Sequence, residues 1–177
     1  MKAYILAGGK SSRMKRDKGL IKINGQELVI NIAQQLDNHF DEVVIISDSE
    51  DYKKLKYRVI CDSIEKKGPL SGLFTALQDA SDDVYLFTCD QPLISLKMLN
   101  WLKKHKKCAK IESRIQPFPG FYPFSLIEEV KSRIQKNDLS ISELIDDKQL
   151  FLIYPDKITI TDLNTPEDLK NYIESIS

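Results

Sequence analysis

This chain of 177 residues has only three cysteines and two histidines, and its net charge is zero. Its three cysteines (Cys61, Cys89 and Cys108) are odd in number and far apart, without the paired spacing of metal ligands. Its 26 basic and 26 acidic residues balance, so no overall charge attracts nucleic acid. These absences exclude a disulfide framework and a paired-cysteine metal site, and they predict a reduced, cytoplasmic protein.

Long hydrophobic runs are also missing. No apolar segment approaches the roughly 20 residues that a membrane helix needs. The apolar run at residues 3–7 is too short, and too soon followed by charge, to be a signal peptide. With 42% apolar and 29% charged residues, the composition is that of a soluble globular protein, and we expect no membrane partner.

Short apolar runs alternate with longer amphipathic ones through the first half of the chain. The runs at residues 3–7, 43–46, 58–61 and 84–89 are apolar almost throughout, as strands buried on both faces are. Apolar side chains at helical spacing lie between them, for example at residues 70–77. The alternation predicts an α/β fold of three layers with a mostly parallel, Rossmann-like sheet. We expect a single domain over residues 1–177.

The second half of the sequence is less regular. A run containing Pro117 and Pro119 suits an edge strand, because proline cannot donate to a central ladder. Thr165 and Pro166 open the last helix as its N-cap and first helical residue. The other predicted elements are a long helix at residues 126–134, a short helix at 140–145, and strands at 150–154 and 158–163.

The segment after the first strand carries the strongest functional signal. Gly8 and Gly9 let backbone N–H groups approach an anion without a Cβ in the way. Arg13 supplies a bidentate fork and Lys18 a compact point charge, both suited to phosphate oxygens. The segment is not a P-loop, because Tyr4 stands where that motif has its first glycine, and it contains no Gly-x-Gly-x-x-Gly. It predicts a phosphate site.

Aspartates follow two of the predicted strands. Asp90 comes after the fourth strand and Asp62 after the third. Ligands of open parallel sheets bind outside the carboxyl ends of the strands, where a carboxylate can hold Mg²⁺ against a phosphate. A turn or a helix cap is the alternative for both residues. It is the stronger alternative for Asp62, since Asp62-Ser63 is good turn chemistry.

Four motifs together resemble those of one known family. They are Leu-Ala-Gly-Gly-x-Ser-Ser-Arg-Met-x-x-Asp-Lys-Gly-Leu at residues 6–20, Gly-Pro-Leu-Ser-Gly-Leu at 68–73, Cys-Asp-Gln-Pro at 89–92 and Leu-Asn-Thr-Pro-Glu-Asp-Leu at 163–169. In this order and over nearly the whole chain, they resemble the MobA family, the molybdenum cofactor guanylyltransferases. The chain departs from the family at two places. Lys15 stands where family members commonly have glycine, and Ser47-Asp48-Ser49 stands where they often have an asparagine near the base.

The resemblance implies transfer of GMP from GTP, with Mg²⁺, to the terminal phosphate of molybdopterin, with release of pyrophosphate. The implied partners are GTP, a molybdopterin-type acceptor, and the molybdoenzymes or cofactor-delivery proteins that receive the product. Asp90 would hold the metal, and Asp48 is a candidate acceptor for the guanine N1–H and amino groups. The expected catalytic residues are Arg13, Lys18 and Asp90, and the expected nucleotide-binding residues are Leu6, Ala7, Gly8, Gly9, Lys18, Asp48, Asp62 and Asp90.

Two other functions stay open at this point. One is nucleotidyl transfer in the same fold with CTP or with another phosphorylated acceptor. The other is a non-catalytic, GTP-binding accessory protein, which would bind GTP without releasing pyrophosphate. The basic run at residues 103–107 could be a nucleic-acid patch, but it is more typical of a solvated helix C-terminus, where cations suit the dipole. We expect no nucleic acid partner.

Overall fold

The computed structural model describes residues 1–8, 17–64, 68–155 and 162–175. Short 3₁₀ helices in this part of the chain are Lys18–Leu20, Glu50–Lys54 and Phe124–Leu126. The strands are β1 (Lys2–Leu6), β2 (Lys22–Ile23), β3 (Gln26–Glu27), β4 (Glu42–Ile46), β5 (Arg58–Ile60), β6 (Val84–Thr88), β7 (Cys108–Ile111), β8 (Arg114–Gln116), β9 (Gly120–Tyr122) and β10 (Phe151–Ile153). The α-helices are α1 (Leu28–Leu36), α2 (Pro69–Ala80), α3 (Leu96–His105), α4 (Ile127–Gln135), α5 (Ile141–Asp147) and α6 (Pro166–Ser175).

The main sheet has five strands in the order β5–β4–β1–β6–β9. The first four are parallel, and β9 pairs antiparallel with β6 at the edge. From β1 the chain continues to β4 and β5 on one side, and then crosses to β6 on the other side of β1. The strand order therefore reverses between β1 and β6, which is the point where open α/β sheets bind ligands.

Alternate side chains of the central strands enter two separate cores. Ala3 and Ile5 of β1 pack into the core that includes α1 and α3, whereas Tyr4 packs into the core that includes α2, α4 and α5. Fully burying a large aliphatic side chain stabilises the fold by about 1.5–3 kcal/mol, so both faces contribute substantially. The sheet is thus covered on both sides, and the predicted three-layer, mostly parallel fold is confirmed.

Local chemistry explains where the helices begin. The Ser95 Oγ accepts a hydrogen bond from the Met98 N–H at 3.1 Å and so caps α3. At the start of α6 the Thr165 Oγ1 accepts from the Asp168 N–H at 3.1 Å, while the Asp168 carboxylate accepts from the Thr165 N–H at 2.7 Å. This reciprocal pair is a capping box, and it confirms the predicted start of the last helix.

Two features differ from the expectations, and one predicted strand can be compared only at its end. Pro117 and Pro119 lie between β8 and β9 rather than inside a strand, because proline has no N–H to donate. The strand expected at residues 158–163 falls largely outside the described residues, and Asp162 and Leu163 belong to neither strand nor helix. A second small sheet, β10–β7–β8, and the hairpin of β2 and β3 were not expected.

Within the described residues, no helix is both long and apolar enough to cross a bilayer.

Candidate active site

The ends of β1 and β6 lie side by side at the carboxyl edge of the sheet. Leu6 is in register with Thr88, and the Cys89 N–H donates to the Leu6 carbonyl oxygen at 3.1 Å. On the other side of β1, the Ala7 N–H donates to the Ile46 carbonyl oxygen at 2.9 Å. The backbone that leads into Gly8 is therefore next to the backbone that leads into Asp90. Gly8 and Asp90 therefore both lie at the point where the strand order reverses.

Both the backbone conformation at position 8 and the close approach of a neighbouring side chain require glycine there. Its φ is +100°, a left-handed conformation that other residues rarely adopt. A Cβ at this position would also lie 2.9 Å from the Ser47 Oγ at the end of β4. The chain can turn out of β1 here only because the residue has no side chain.

Asp90 is half-buried and is held by contacts from two directions. The Thr88 Oγ1 donates to its Oδ1 at 2.5 Å, and its backbone oxygen accepts from the Leu163 N–H at 2.7 Å. The next residue, Gln91, donates from Nε2 to the Asp162 Oδ1 at 2.9 Å. The described residues offer no hydrogen bond to the Asp90 Oδ2, so only one oxygen of this carboxylate has a described donor.

Lys18 starts the 3₁₀ helix Lys18–Leu20, and Asp17 is the N-cap of that helix. The Lys18 Nζ donates to the Asn164 Oδ1 at 3.0 Å, although the two residues are 146 positions apart. Residues 162–164 thus contact Lys18, Asp90 and Gln91, and they connect the segment that carries the cation to the segment that carries the carboxylate.

The pKa of the Cys89 thiol indicates that several charged groups of the site region lie near this residue. Burial raises the pKa of this thiol to about 12, and the carboxylates of Asp90 and Asp17 add to the increase. The Gly8 N–H and the Lys18 ammonium lower the same pKa. Two carboxylates, one ammonium and one backbone amide therefore act on a single buried atom. The thiol itself stays protonated and packs in the core rather than acting as a nucleophile.

The other two predicted aspartates lie further along the same edge, after β4 and β5. The Asp48 Oδ1 accepts from the Asp62 N–H at 2.9 Å. The Asp62 carboxylate accepts from the Ser71 Oγ at 2.6 Å and from the Thr75 Oγ1 at 2.7 Å, both on α2. Asp62 therefore joins the end of β5 to the first turns of α2. Its two oxygens are already engaged by protein donors.

Sequence comparison assigns the chain to a family. A family model described as the MobA-like NTP transferase domain matches residues 3–148. The chain belongs to this family. It is a nucleotidyltransferase.

Individual relatives agree with the MobA-like assignment. A probable molybdenum cofactor guanylyltransferase of Flavobacterium johnsoniae is 32% identical over 178 residues, covering 95% of this chain and 94% of that protein. Molybdopterin-guanine dinucleotide biosynthesis protein A of Archaeoglobus fulgidus has a TM-score of 0.81 at 22% identity, covering 99% of this chain and 98% of that one. The 2-C-methyl-D-erythritol 4-phosphate cytidylyltransferase of Thermus thermophilus has a TM-score of 0.70 at 16% identity, covering 98% and 97%. The two structural likenesses show the fold alone.

Some of the predicted residues cannot be placed. Gly9 and Arg13 lie outside the described residues, as does Lys15, where the chain departs from the MobA pattern. Leu6 and Ala7 do lie at the edge, Leu6 half-buried and Ala7 buried, in the last residues before the turn at Gly8. Ser71, which belongs to the Gly-Pro-Leu-Ser-Gly-Leu motif, donates its hydroxyl to Asp62 and is 1% exposed.

Three residues of the site region were not assigned a role from the sequence. Asn164 and Asp162 contact Lys18 and Gln91, and Tyr52 contacts Asp17. Asn164 lies in the Asn-Thr-Pro-Glu-Asp motif, which indicated the start of a helix and contributed to the family resemblance but gave Asn164 itself no role. Its position in a family motif was a usable signal. Tyr52 carried none, because nothing in its local sequence distinguishes it from a core tyrosine.

Proposed function

We propose that this chain transfers GMP from GTP to the terminal phosphate of molybdenum-bound molybdopterin, forming the guanine dinucleotide cofactor and pyrophosphate. The observation that carries the proposal is the link that residues 163 and 164 make between Lys18 and Asp90 beside the end of β1. The choice of GTP and molybdopterin comes from relatives named molybdenum cofactor guanylyltransferase, which match over most of the chain.

In the proposed reaction an oxygen of the acceptor phosphate attacks the α-phosphorus of GTP. A new P–O bond forms on one side while the bond to the β-phosphate oxygen breaks on the other, and pyrophosphate leaves with the electron pair. The attacking phosphate is already an anion at neutral pH, so no strong base is needed. The protein has mainly to align the two substrates and to stabilise negative charge.

Asp90 is the residue that would hold Mg²⁺. Its Oδ1 is fixed by Thr88, while the described residues leave its Oδ2 without a hydrogen bond, which suits a hard cation. Among the described residues no cluster of three or more acidic, histidine or cysteine side chains could hold a metal. A single carboxylate is still adequate, because Mg²⁺ usually takes one or two carboxylates and completes its shell with water and substrate phosphates. When bound, Mg²⁺ neutralises charge on the phosphates.

Lys18 and Gly8 have complementary roles in the proposal. The Lys18 ammonium would bind the triphosphate as a point charge, with Asn164 orienting its side chain through a hydrogen bond. Gly8 leads the chain out of β1 without a Cβ, so that the nucleotide can approach the backbone closely. We expect Gly9 and Arg13 to add an amide and a guanidinium. We further propose a cytoplasmic location, where the three free cysteines would stay reduced.

The function is tested by offering GTP, CTP, ATP and UTP separately, each with Mg²⁺ and molybdenum-bound molybdopterin, while pyrophosphate release is followed. We expect GTP to be used at least about tenfold better than the others, a discrimination of roughly 1.4 kcal/mol. Chromatography of the product should show the guanine dinucleotide. Preference for CTP would redirect the assignment to cytidylyl transfer. GTP binding without pyrophosphate release would indicate a non-catalytic accessory protein.

A further inference from the structure

Tyr52 joins two distant segments of the chain through a buried hydroxyl. The residue lies in the 3₁₀ helix Glu50–Lys54 that follows β4, and it is 0% exposed. Its hydroxyl donates to the Asp17 Oδ1 at 2.5 Å, across 35 positions of sequence. Burial, and then the bond to Asp17, raise the pKa of this hydroxyl far above its ordinary value, so it remains a donor at every physiological pH.

Asp17 uses the same oxygen to shape the backbone of Lys18. The Asp17 Oδ1 also accepts from the Gly19 N–H at 3.1 Å, and Asp17 is the N-cap of the 3₁₀ helix that begins at Lys18. The backbone oxygens of Asp17 and Lys18 accept the bonds that close this short helix. An N-cap side chain stabilises the backbone of the first helical turn by accepting a hydrogen bond from one of its free N–H groups. The Asp17 side chain therefore sets the backbone conformation of Lys18.

Gly19 leaves room for the Tyr52 hydroxyl because it has no side chain. A Cβ at Gly19 would lie 2.3 Å from the Tyr52 hydroxyl oxygen, which is far closer than atoms can approach. Tyr52 thus contacts Asp17 and packs directly against Gly19, the residues on either side of Lys18. The hydroxyl is enclosed by the segment that carries the lysine.

We propose that Tyr52 is a positioning residue: through Asp17 it holds Lys18 where the ammonium can bind a nucleoside triphosphate. The inference rests on the proposed function for the role of Lys18. The backbone of Lys18 is held by Asp17 and Tyr52 on one side, and its side-chain amine is oriented by Asn164 on the other. Tyr52 acts only through these neighbours and is assigned no contact with the substrate.

Tyr52→Phe tests the proposal, because it removes the hydroxyl and keeps the ring. Tyr4→Phe is the matched control. Tyr4 is also 0% exposed, and its hydroxyl donates to the Asp79 Oδ2 at 2.7 Å, in the charged group with Lys2 and Arg58 at the opposite edge of the sheet. Each variant should lower the Tm by about 2–4 °C, as expected for loss of roughly one hydrogen bond in a chain of this size.

Nucleotide affinity separates positioning from mere packing. We expect the Kd for GTP, measured by titration calorimetry with Mg²⁺ and without acceptor, to rise about tenfold in Tyr52→Phe and to stay unchanged in Tyr4→Phe. In steady state KM should rise while kcat stays within about twofold, because a displaced phosphate contact weakens ground and transition states alike. Asp17→Ala, which removes the same bond from its other end, should raise the Kd at least as much, whereas Asp17→Asn, which keeps an acceptor oxygen, should recover most of the affinity.

A double-mutant cycle identifies the route of the effect. If Tyr52 acts through Lys18, then Tyr52→Phe in a Lys18→Ala background should raise the Kd no further than Lys18→Ala alone. Equal Kd values for Tyr52→Phe and Tyr4→Phe, or full additivity in the cycle, would overturn the positioning role while leaving the proposed function intact. Conversely, wild-type protein that binds GTP but releases no pyrophosphate would contradict the proposed function, and the Kd comparison would still decide the role of Tyr52.

Discussion

At the scale of single residues, Asp90 is the side chain on which the proposed chemistry depends most. The Thr88 hydroxyl orients one carboxylate oxygen, and the other is free of described hydrogen-bond donors. We therefore expect Asp90→Ala to reduce turnover by about a thousandfold or more, because charge stabilisation on the phosphates is lost. Binding of GTP should be partly retained, since Lys18 and the end of β1 remain.

The measurement is pyrophosphate release at saturating GTP, together with the Kd for GTP in the presence and absence of Mg²⁺. Asp51→Ala is a suitable control, because Asp51 is an exposed carboxylate paired only with Lys54 among its described ion pairs. It should leave both quantities unchanged. Near-normal turnover of Asp90→Ala would refute the assignment of this residue to the metal.

Some site residues could be predicted from the sequence and others could not. The position of Asp90 follows from its place directly after an apolar strand, because the carboxyl ends of parallel strands share one edge. The pairing of Lys18 with Asn164 depends on the path of the whole chain between them, which no local pattern contains. Asp62 illustrates a third case. Its location at the edge was predicted, but its bonds to Ser71 and Thr75 depend on where α2 begins.

At the scale of elements, the N-terminus of α6 supports the site from outside it. The Asp168 carboxylate accepts from the N–H groups of Asn164 and Thr165, and Thr165 caps the helix in return. Loss of an N-cap hydroxyl costs about 1 kcal/mol of stability. We expect Thr165→Ala to have this cost and also to raise KM for GTP severalfold, because Asn164 would hold Lys18 less firmly.

Ser140→Ala provides the comparison for that prediction. The Ser140 Oγ caps α5 by accepting from the Glu143 N–H at 3.2 Å, an equivalent bond with no described contact to the site. Urea denaturation should show similar losses of stability in both variants, while only Thr165→Ala changes KM. Should the two variants have the same KM, the cap of α6 would be a stabilising element without influence on the nucleotide site.

The elements missed from the sequence are short. Strands β2 and β3 have two residues each, β8 has three and β7 has four. Strands of this length show too few side chains for an alternating pattern, so their pairing is decided by tertiary contacts. The longer strands β1, β4 and β6 are apolar on both faces, and they were predicted because the layers of helices bury both sides.

At the scale of the whole molecule, the two cores each enclose a thiol. Cys89 lies in the core that includes α1 and α3, and Cys108 lies in the core that includes α2 and α4. Both are free, whereas Cys61 is exposed. Burial is the main reason that the pKa of each buried thiol is raised from 9.0 to about 12. The integrity of both cores is therefore coupled to pH in the alkaline range.

The sign of this coupling follows from proton counting. Between pH 9 and 12 the native state keeps the Cys108 proton that the unfolded state has released, so the unfolded state binds fewer protons and stability falls as pH rises. The buried tyrosines contribute in the same direction, so the test is a difference between variants.

Cys108→Ala should lower the free energy of unfolding at pH 8, because it leaves a small cavity. It should also make the decline of this free energy with rising pH shallower, by up to about 1.4 kcal/mol per pH unit. Cys61→Ala should leave the decline unchanged. Urea denaturation at pH values from 8 to 11 measures these slopes, and parallel curves for the wild type and Cys108→Ala would mean that the thiol ionises without opening the core.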